Sequence, residues 1–239
     1  MPLPPFVPLT LSREVKPPTE KIAKEVIIIA IQLNERDLNI LNEITKWRFM
    51  LGRQIKILCD FQGQRACDRR LKKLIEAKYI ERKHIIYGIP SLYFVTPKAK
   101  KSFNLGYITR TVRIEQIQHD IYVIDTAIYF IKKYNINRDT IVTERELKHK
   151  DGFGNNKHRP DFTFVHNDKK YCVEVELTAK KYDTLDKNMK NNYLNYDGQK
   201  WITPFDRIKV KEQVEKISKN YTDIDIIPLS EVVEFVKTL

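Results

Sequence analysis

Glycine is scarce in this 239-residue chain, with 7 in all, and cysteine is scarcer, with 3. Cys59, Cys67 and Cys172 are odd in number, widely spaced and without a C-x-x-C pair. That excludes paired zinc knuckles and a redox dithiol, and fits reduced packing thiols of a cytosolic protein. No Gly-rich phosphate loop and no Ser/His/Asp arrangement is present, which argues against an ATPase or a triad hydrolase. The longest apolar run, Val26 to Ile31, falls far short of the roughly 20 residues a membrane helix needs. No basic start with an apolar segment precedes it, so the expected location is cytoplasmic.

What is present is positive charge. The formal net charge is +12, and the excess of Lys and Arg lies almost wholly in the first 105 residues. Such an excess favours a polyanionic partner, because neutralising phosphates releases counterions, and nucleic acid is the commonest one. Solubility alone is the competing explanation.

The Pro-rich start, MPLPPFVPLTLSREVKPP, should form an extended arm, giving an arm and lead-in over residues 1–33. KEVIIIAIQL within it fits either a strand or a helix edge. From Asn34 the pattern sharpens: NERDLNILNEITKW predicts a helix capped by Asn34 and Asp37, with Leu38, Leu41, Ile44, Thr45 and Trp47 inward. GRQIKILCDF predicts a second helix burying Ile55, Leu58 and Cys59. QRACDRRLKKLIEAKYI predicts a third, burying Cys67, Leu71, Leu74 and Ile75. The outer face of the third helix carries Arg65, Arg69, Lys72 and Glu76, with Gln62 and Gln64 at its start. ERKHIIYG and PSLYFVT then predict a hairpin around Gly88 and Pro90. Together these make a winged helix-turn-helix over residues 34–104. Its third helix would read double-stranded DNA through Gln62, Gln64, Arg65, Arg69 and Lys72, with Gln64 and Arg65 at base edges. Binding of RNA or of another protein is the alternative use of such a module.

A second domain is expected over 105–239, beginning with a long amphipathic helix, Ile114 to Tyr134, whose inner stripe is Ile117, Ile121, Ile124, Ala127, Ile128 and Ile131. A strand over Thr140–Thr143 should follow, then Glu144 and a polar, Gly-containing loop. Next come FTFV behind Asp161, a His-Asn-Asp turn, and YCVEVEL. Side chains alternate along a strand, so Glu174 and Glu176 share a face opposite Val173, Val175 and Leu177. Two neighbouring carboxylates repel unless a proton or cation intervenes. Asp161, Glu174 and Glu176 would therefore be ligands for Mg2+ or Mn2+, with Glu144 added from the earlier strand and the Lys180 ammonium nearby. Metal and lysine together would activate a water and stabilise charge on a phosphodiester. A solvated edge hairpin explains E-V-E equally well. KWITP and the residues after it predict strand, helix, strand and helix, completing a sheet covered on both faces.

Asp161 followed by Glu174-Val175-Glu176 resembles the PD-(D/E)XK nuclease superfamily, whose core is helix, three strands, helix and strand. More narrowly, RRLKKLIEAKYIER, QHDIYVIDTA at 118–127, TERELK at 143–148, RPDFTF and VEVELTAKKY, in this order, resemble the replication-relaxation family of plasmid and mobile-element proteins, which includes MobC-type relaxases. The resemblance implies an α+β chain: a winged helix followed by an α/β nuclease-like domain with a mixed central sheet. It places Glu144, Asp161, Glu174 and Glu176 at the acidic motif positions, with Lys180 as basic partner. It implies site-specific DNA binding with metal-dependent nicking in plasmid mobilization or DNA replication, alongside relaxosome or replication proteins and compatible with a homodimer. One position departs: the superfamily has lysine where this chain has Glu176, so Lys180, Lys148 or Lys157 must supply the ammonium for cleavage. A non-enzymatic replication initiator, relaxosome accessory factor or transcription regulator is the alternative.

His119-Asp120 opens a helix beside buried Ile117 and Ile121, which favours a structural histidine. His149, His158 and His166 flank the carboxylates without three-histidine spacing, and His158 is placed to touch phosphate. Tyr182, Tyr193 and Tyr196 are candidate nucleophiles, with Tyr193 better explained as packing. Lys180, Lys181, Lys187 and Lys190 form a basic face for a DNA backbone.

Overall fold

The computed structural model describes residues 32–106, 108–109, 111–152 and 157–239. The expected Pro-rich arm lies outside the described residues, apart from Gln32 and Leu33. Residues Ile31–Leu239 form one compact α+β unit.

Helix α1 (Glu35–Trp47) starts where the sequence places its cap. The Asn34 side chain accepts from the Asp37 N–H and the Asp37 carboxylate accepts from the Asn34 N–H, a reciprocal box worth about 1 kcal/mol. Its inner face is Ile40, Leu41, Ile44 and Trp47. The expected Leu38 is instead exposed, because Asp37 takes the inner position and is held there by Arg70. Strand β1 (Met50–Leu51) leads into α2 (Gly52–Leu58), and α3 (Gln64–Glu76) follows, burying Cys67, Leu71 and Leu74. Ile75 is only partly buried. Beyond α3, β2 (Ile80–Lys83) and β3 (Leu92–Val95) form an antiparallel hairpin with Ile80 opposite Val95. The small sheet has the order β1-β3-β2, so β3 is its central strand. One face meets the three helices through Met50, Tyr93 and Val95. The other, Leu51, Leu92 and Phe94, packs on Ile117 and Ile121. Burial on both faces explains why LYFV reads as an unbroken apolar run.

After α4 (Pro97–Phe103), the long helix α5 (Ile114–Lys133) divides the expected stripe: Ile117 and Ile121 meet the small sheet, while Ile124, Ala127 and Ile128 enter the core shared with the three helices and Ile131 is partly buried beside it. Its polar contacts tie the small sheet region to the rest. Arg53 grips the buried Asp125 with two 2.7 Å hydrogen bonds, and the Gln54 amide donates to Asp125 at 2.8 Å and to the Ile121 carbonyl at 3.1 Å. Trp47 of α1 meets Phe162 edge to face.

Two expectations for the next segment need correction. The strand over Thr140–Thr143 is a 3-10 turn at Arg138–Thr140 and a two-residue strand β4 (Val142–Thr143). The loop expected after Glu144 begins as helix α6 (Glu144–Asp151), started by a capping box between Thr143 and Glu146. The T-x-x-E signature was in the sequence. Strand β5 (Phe162–His166) pairs with β6 (Lys169–Val175) through a two-residue turn, Asn167-Asp168. Both turn residues have positive φ, which Asn and Asp tolerate best after glycine and which matches the twist of a tight hairpin. Helix α7 (Tyr182–Asn195), β7 (Gly198–Thr203), α8 (Ile208–Ser218), β8 (Ile224–Pro228) and α9 (Leu229–Lys237) follow.

The larger sheet has the order β4-β5-β6-β7-β8, antiparallel from β4 to β6 and parallel from β6 to β8. Alternation sorts its faces. Val173, Val175 and Ile202 join the core with Val123, Ala127 and the α9 residues Val232 and Val236. Trp201 packs with Leu185 and Met189 of α7 and Val214 and Ile217 of α8.

Candidate functional site

The hairpin β5–β6 and the polypeptide on either side bring the acidic residues to one place. Asp161 precedes β5, and its N–H reaches the Val173 carbonyl at 3.1 Å while its own carbonyl accepts from the Glu144 N–H at 2.8 Å. Glu174 lies on β6, on the face away from Val173 and Val175, and faces α7. Asp161 and Glu174 line a cleft of about 490 Å3 together with His119, His158, Lys180 and Asn188. Basic residues of both halves of the chain reach the same cleft, among them Lys46, Arg48, Arg113 and Arg145.

Each carboxylate has a distinct environment. Asp161 Oδ2 accepts from the Val175 N–H at 2.7 Å, and His119 Nε2 lies 3.5 Å away. Burial alone would raise the Asp161 carboxyl. The His119 contact and charge, the Val175 amide and the Lys180 charge outweigh it, so this group stays below its ordinary range. Glu174 is buried, 6 % exposed, and its Oε1 accepts from His158 Nε2 at 2.6 Å and from Asn192 Nδ2 at 2.9 Å. Its carboxyl is raised, first by burial and then by the negative charge of Asp161, with His158 and Asn192 acting against both. A pair of carboxylates that raises one member's pKa is one that a cation would relieve.

His119 has a structural contact, as expected, and also reaches the cleft. It is half-buried, donates from Nε2 to the Val175 carbonyl at 3.0 Å, and has Nδ1 3.5 Å from Asp120. Burial would depress its pKa, yet Asp120 and Asp161 push it up to about 10. It is a fixed cation beside Asp161. His158, expected at phosphate, instead holds Glu174, and Asn192, which no sequence signal marked, is wholly buried, its Oδ1 without a hydrogen-bond partner among the described residues.

Glu176 is also buried, at 4 % exposure, so the solvated-edge explanation of E-V-E fails at both glutamates. Its carboxylate is given to Lys180, 2.5 Å away, rather than to the Asp161 and Glu174 pair. Burial raises the Glu176 carboxyl and Lys180 draws it back. Burial likewise acts to lower the Lys180 ammonium, but Glu176, Glu174 and Asp161 together raise it. Glu144 lines the cleft with its side chain held by Arg48 at 3.3 Å and by Lys148. The four-carboxylate ligand set thus resolves into a close pair, Asp161 and Glu174, and two carboxylates engaged by cations. Among the described residues, no group of three or more His, Cys, Asp and Glu side chains is arranged to hold a metal ion.

The pair itself retains coordination capacity. Asp161 Oδ1 and Glu174 Oε2 accept no hydrogen bond among the described residues. Two carboxylate oxygens suit Mg2+, which dehydrates reluctantly and commonly takes one or two carboxylates, several waters and substrate phosphate.

The remaining candidates lie elsewhere. Lys157 reaches towards Asn195 at 3.4 Å and does not line the cleft. Lys180 and Lys181 precede α7 rather than belong to it, and Lys187 and Lys190 are exposed on it. None of the three candidate tyrosines lines the cleft: Tyr182 lies under Lys216, Tyr193 packs against Tyr221 while half-exposed, and Tyr196 lies under Lys170. On α3, Gln64, Arg65, Arg69 and Lys72 are exposed, as is Gln62 before it, and Gln64 donates to Asp68 at 2.8 Å.

No protein-family model matches this chain, and no curated protein sequence matches it.

Proposed function

We propose that this chain is a site-specific DNA-binding protein of a mobile element that nicks one DNA strand with a divalent ion at the Asp161 and Glu174 cleft. The observation that carries the reading is that Asp161, Glu174 and the Lys180 ammonium line one cleft, with Lys180 paired to Glu176 at its edge. Apart from α6, inserted between β4 and β5, the order of α5, three antiparallel strands, α7 and β7 follows the order that the PD-(D/E)XK resemblance implies.

In this reading Asp161 and Glu174 hold Mg2+ or Mn2+, which when bound supplies a Lewis acid and a water of lowered pKa. Lys180 stabilises the charge that develops on the phosphodiester, a task for a donor already in place. His119 keeps Asp161 ionised, and His158 with Asn192 orients Glu174. The N-terminal half acts as a winged helix on duplex DNA. Supporting this are the exposed α3 face and the hairpin loop, whose Tyr87 is 98 % exposed beside Arg82 and Lys83. The setting would be cytoplasmic, with relaxosome or replication proteins as further partners.

A second reading is favoured by Glu144 and Glu176, both neutralised by basic side chains: a DNA-binding initiator, accessory factor or regulator that no longer cuts. Incubation with supercoiled plasmid carrying its site separates the two. Nicking with Mg2+ or Mn2+ that Asp161→Ala or Glu174→Ala abolishes supports the enzyme. Wild type that shifts the DNA yet leaves it intact with either ion supports the second reading.

A further inference from the structure

Beside the carboxylate cleft lies a second, larger one of about 930 Å3. Lys100, Lys101, Asn104, Thr109 and Thr111 contribute to its lining, and among the described residues no carboxylate does. Arg48 and Arg145 line both clefts, so the two adjoin. The volume stands at the upper end of the about 300–1,000 Å3 typical of small-molecule sites and is far beyond one inorganic anion. Among the described residues its lining is rich in the cationic, hydroxyl and amide groups that meet phosphate and sugar.

The residue at the junction is held there at a conformational cost. Arg48 ends α1 with φ 73 and ψ −44, a region that non-glycine residues rarely occupy. From that backbone its guanidinium reaches Asp120 of α5 at 3.4 Å and Glu144 of α6 at 3.3 Å. Arg145 is fixed from the α6 side, donating to the Thr45 carbonyl at 3.1 Å and to the Thr109 hydroxyl at 3.3 Å. Two guanidinium groups on separate elements are thus anchored where the basic cleft adjoins the carboxylate cleft.

We propose that the basic cleft is a track for a single DNA strand, binding its phosphodiester backbone without regard to sequence and leading it past Arg48 and Arg145 to Asp161 and Glu174. This rests on the reading of the carboxylate cleft as a nicking site: the backbone flanking a scissile phosphate needs a cationic exit. Lys100 and Lys101 then contact phosphates outside the reacting centre.

The test is binding of a fluorescein-labelled oligothymidylate in EDTA, followed by anisotropy at several salt concentrations, with no cleavage required. Lys100→Ala/Lys101→Ala should weaken binding and flatten the plot of log affinity against log salt by about 1.4, two single-strand phosphate contacts at about 0.7 each. Lys101→Glu, at an exposed position that does not endanger folding, should weaken binding further. Lys209→Ala/Lys211→Ala, exposed on α8, should leave affinity and slope unchanged. Groove variants that bind as wild type does, or an equal loss in the α8 variant, overturn the proposal. Groove-dependent binding by a protein that never nicks plasmid would remove the nuclease reading alone. Nicking by a protein whose groove variants bind normally would remove the track alone.

Discussion

Lys180 Nζ lies 2.5 Å from Glu176 Oε2, across the turn that joins β6 to α7. The pair bears on the departure at position 176, which lies just past the end of β6. Here a glutamate at that place recruits an ammonium from four residues further on and holds it near Glu174 and Asp161.

Lys180→Met should therefore lower the single-turnover nicking rate about 100- to 1,000-fold, the loss typical when one preorganised charge-stabilising donor is removed. DNA affinity, read by gel shift, should change little. Glu176→Gln keeps the ammonium and should have the smaller effect on rate. A Lys180→Met rate equal to wild type would separate the ammonium from the chemistry.

Asp125→Ala should destabilise the whole unit. Asp125 is 2 % exposed and accepts both Arg53 hydrogen bonds and one from the buried Gln54 amide, so its loss removes an acceptor from a buried donor while the half-exposed Arg53 turns to water. Such a loss costs about 1–3 kcal/mol, measurable as a lower urea midpoint at unchanged slope. A loss under about 1 kcal/mol, the range of an exposed ion pair, would contradict the role given to this network in joining α2 to α5.

Glu43 supplies a pH signature away from the cleft. Its carboxyl is raised by burial, against the charges of Lys46 and Arg138 and the hydrogen bond from Trp47 Nε1 at 3.1 Å. A carboxyl raised on folding binds its proton more tightly in the native state. Its stabilising contribution is present below the unfolded value, near 4.5, and is lost as pH rises through the folded value. Glu43→Gln mimics the protonated form. The unfolding free energy of wild type relative to Glu43→Gln should fall as pH climbs from about 4, by about 1.4 kcal/mol per unit of upward shift, and then level off. Chemical denaturation at a series of pH values measures it, and a difference that rises with pH would reverse the assignment.

Much of the fold was legible because local signals and burial agreed. Asn34 and Asp37 marked the start of α1, the Ile117 to Ile131 stripe marked α5, and HND between apolar runs marked the β5–β6 turn. Where two local signals competed, the reading failed: Thr143 and Glu146 start a helix although the Gly-containing segment beyond them reads as loop. Periodicity places Leu38 inward, and it carries no sign of the Arg70 contact that draws Asp37 inside instead. At the site, Asp161 and Glu174 were found because strand alternation and hairpin pairing are periodic properties. His119, Arg48 and Asn192 were not, because each reaches the cleft through long-range packing of α5, the α1 terminus or α7. The separation of Glu176 from Asp161 and Glu174 depends on Lys180, whose return from the following turn no spacing rule predicts.

The most direct measurement is a titration with Mn2+ followed by electron paramagnetic resonance, in wild type, Asp161→Asn and Glu174→Gln. Both substitutions keep the size of the side chain while removing its charge, so loss of binding reports the ligand rather than the fold. Wild type should take up Mn2+ at a saturable site, Mg2+ should compete for it, and each substitution should abolish it. Uptake by wild type that persists unchanged in both variants, or no saturable uptake at all, would contradict the assignment of Asp161 and Glu174 as a divalent-cation centre.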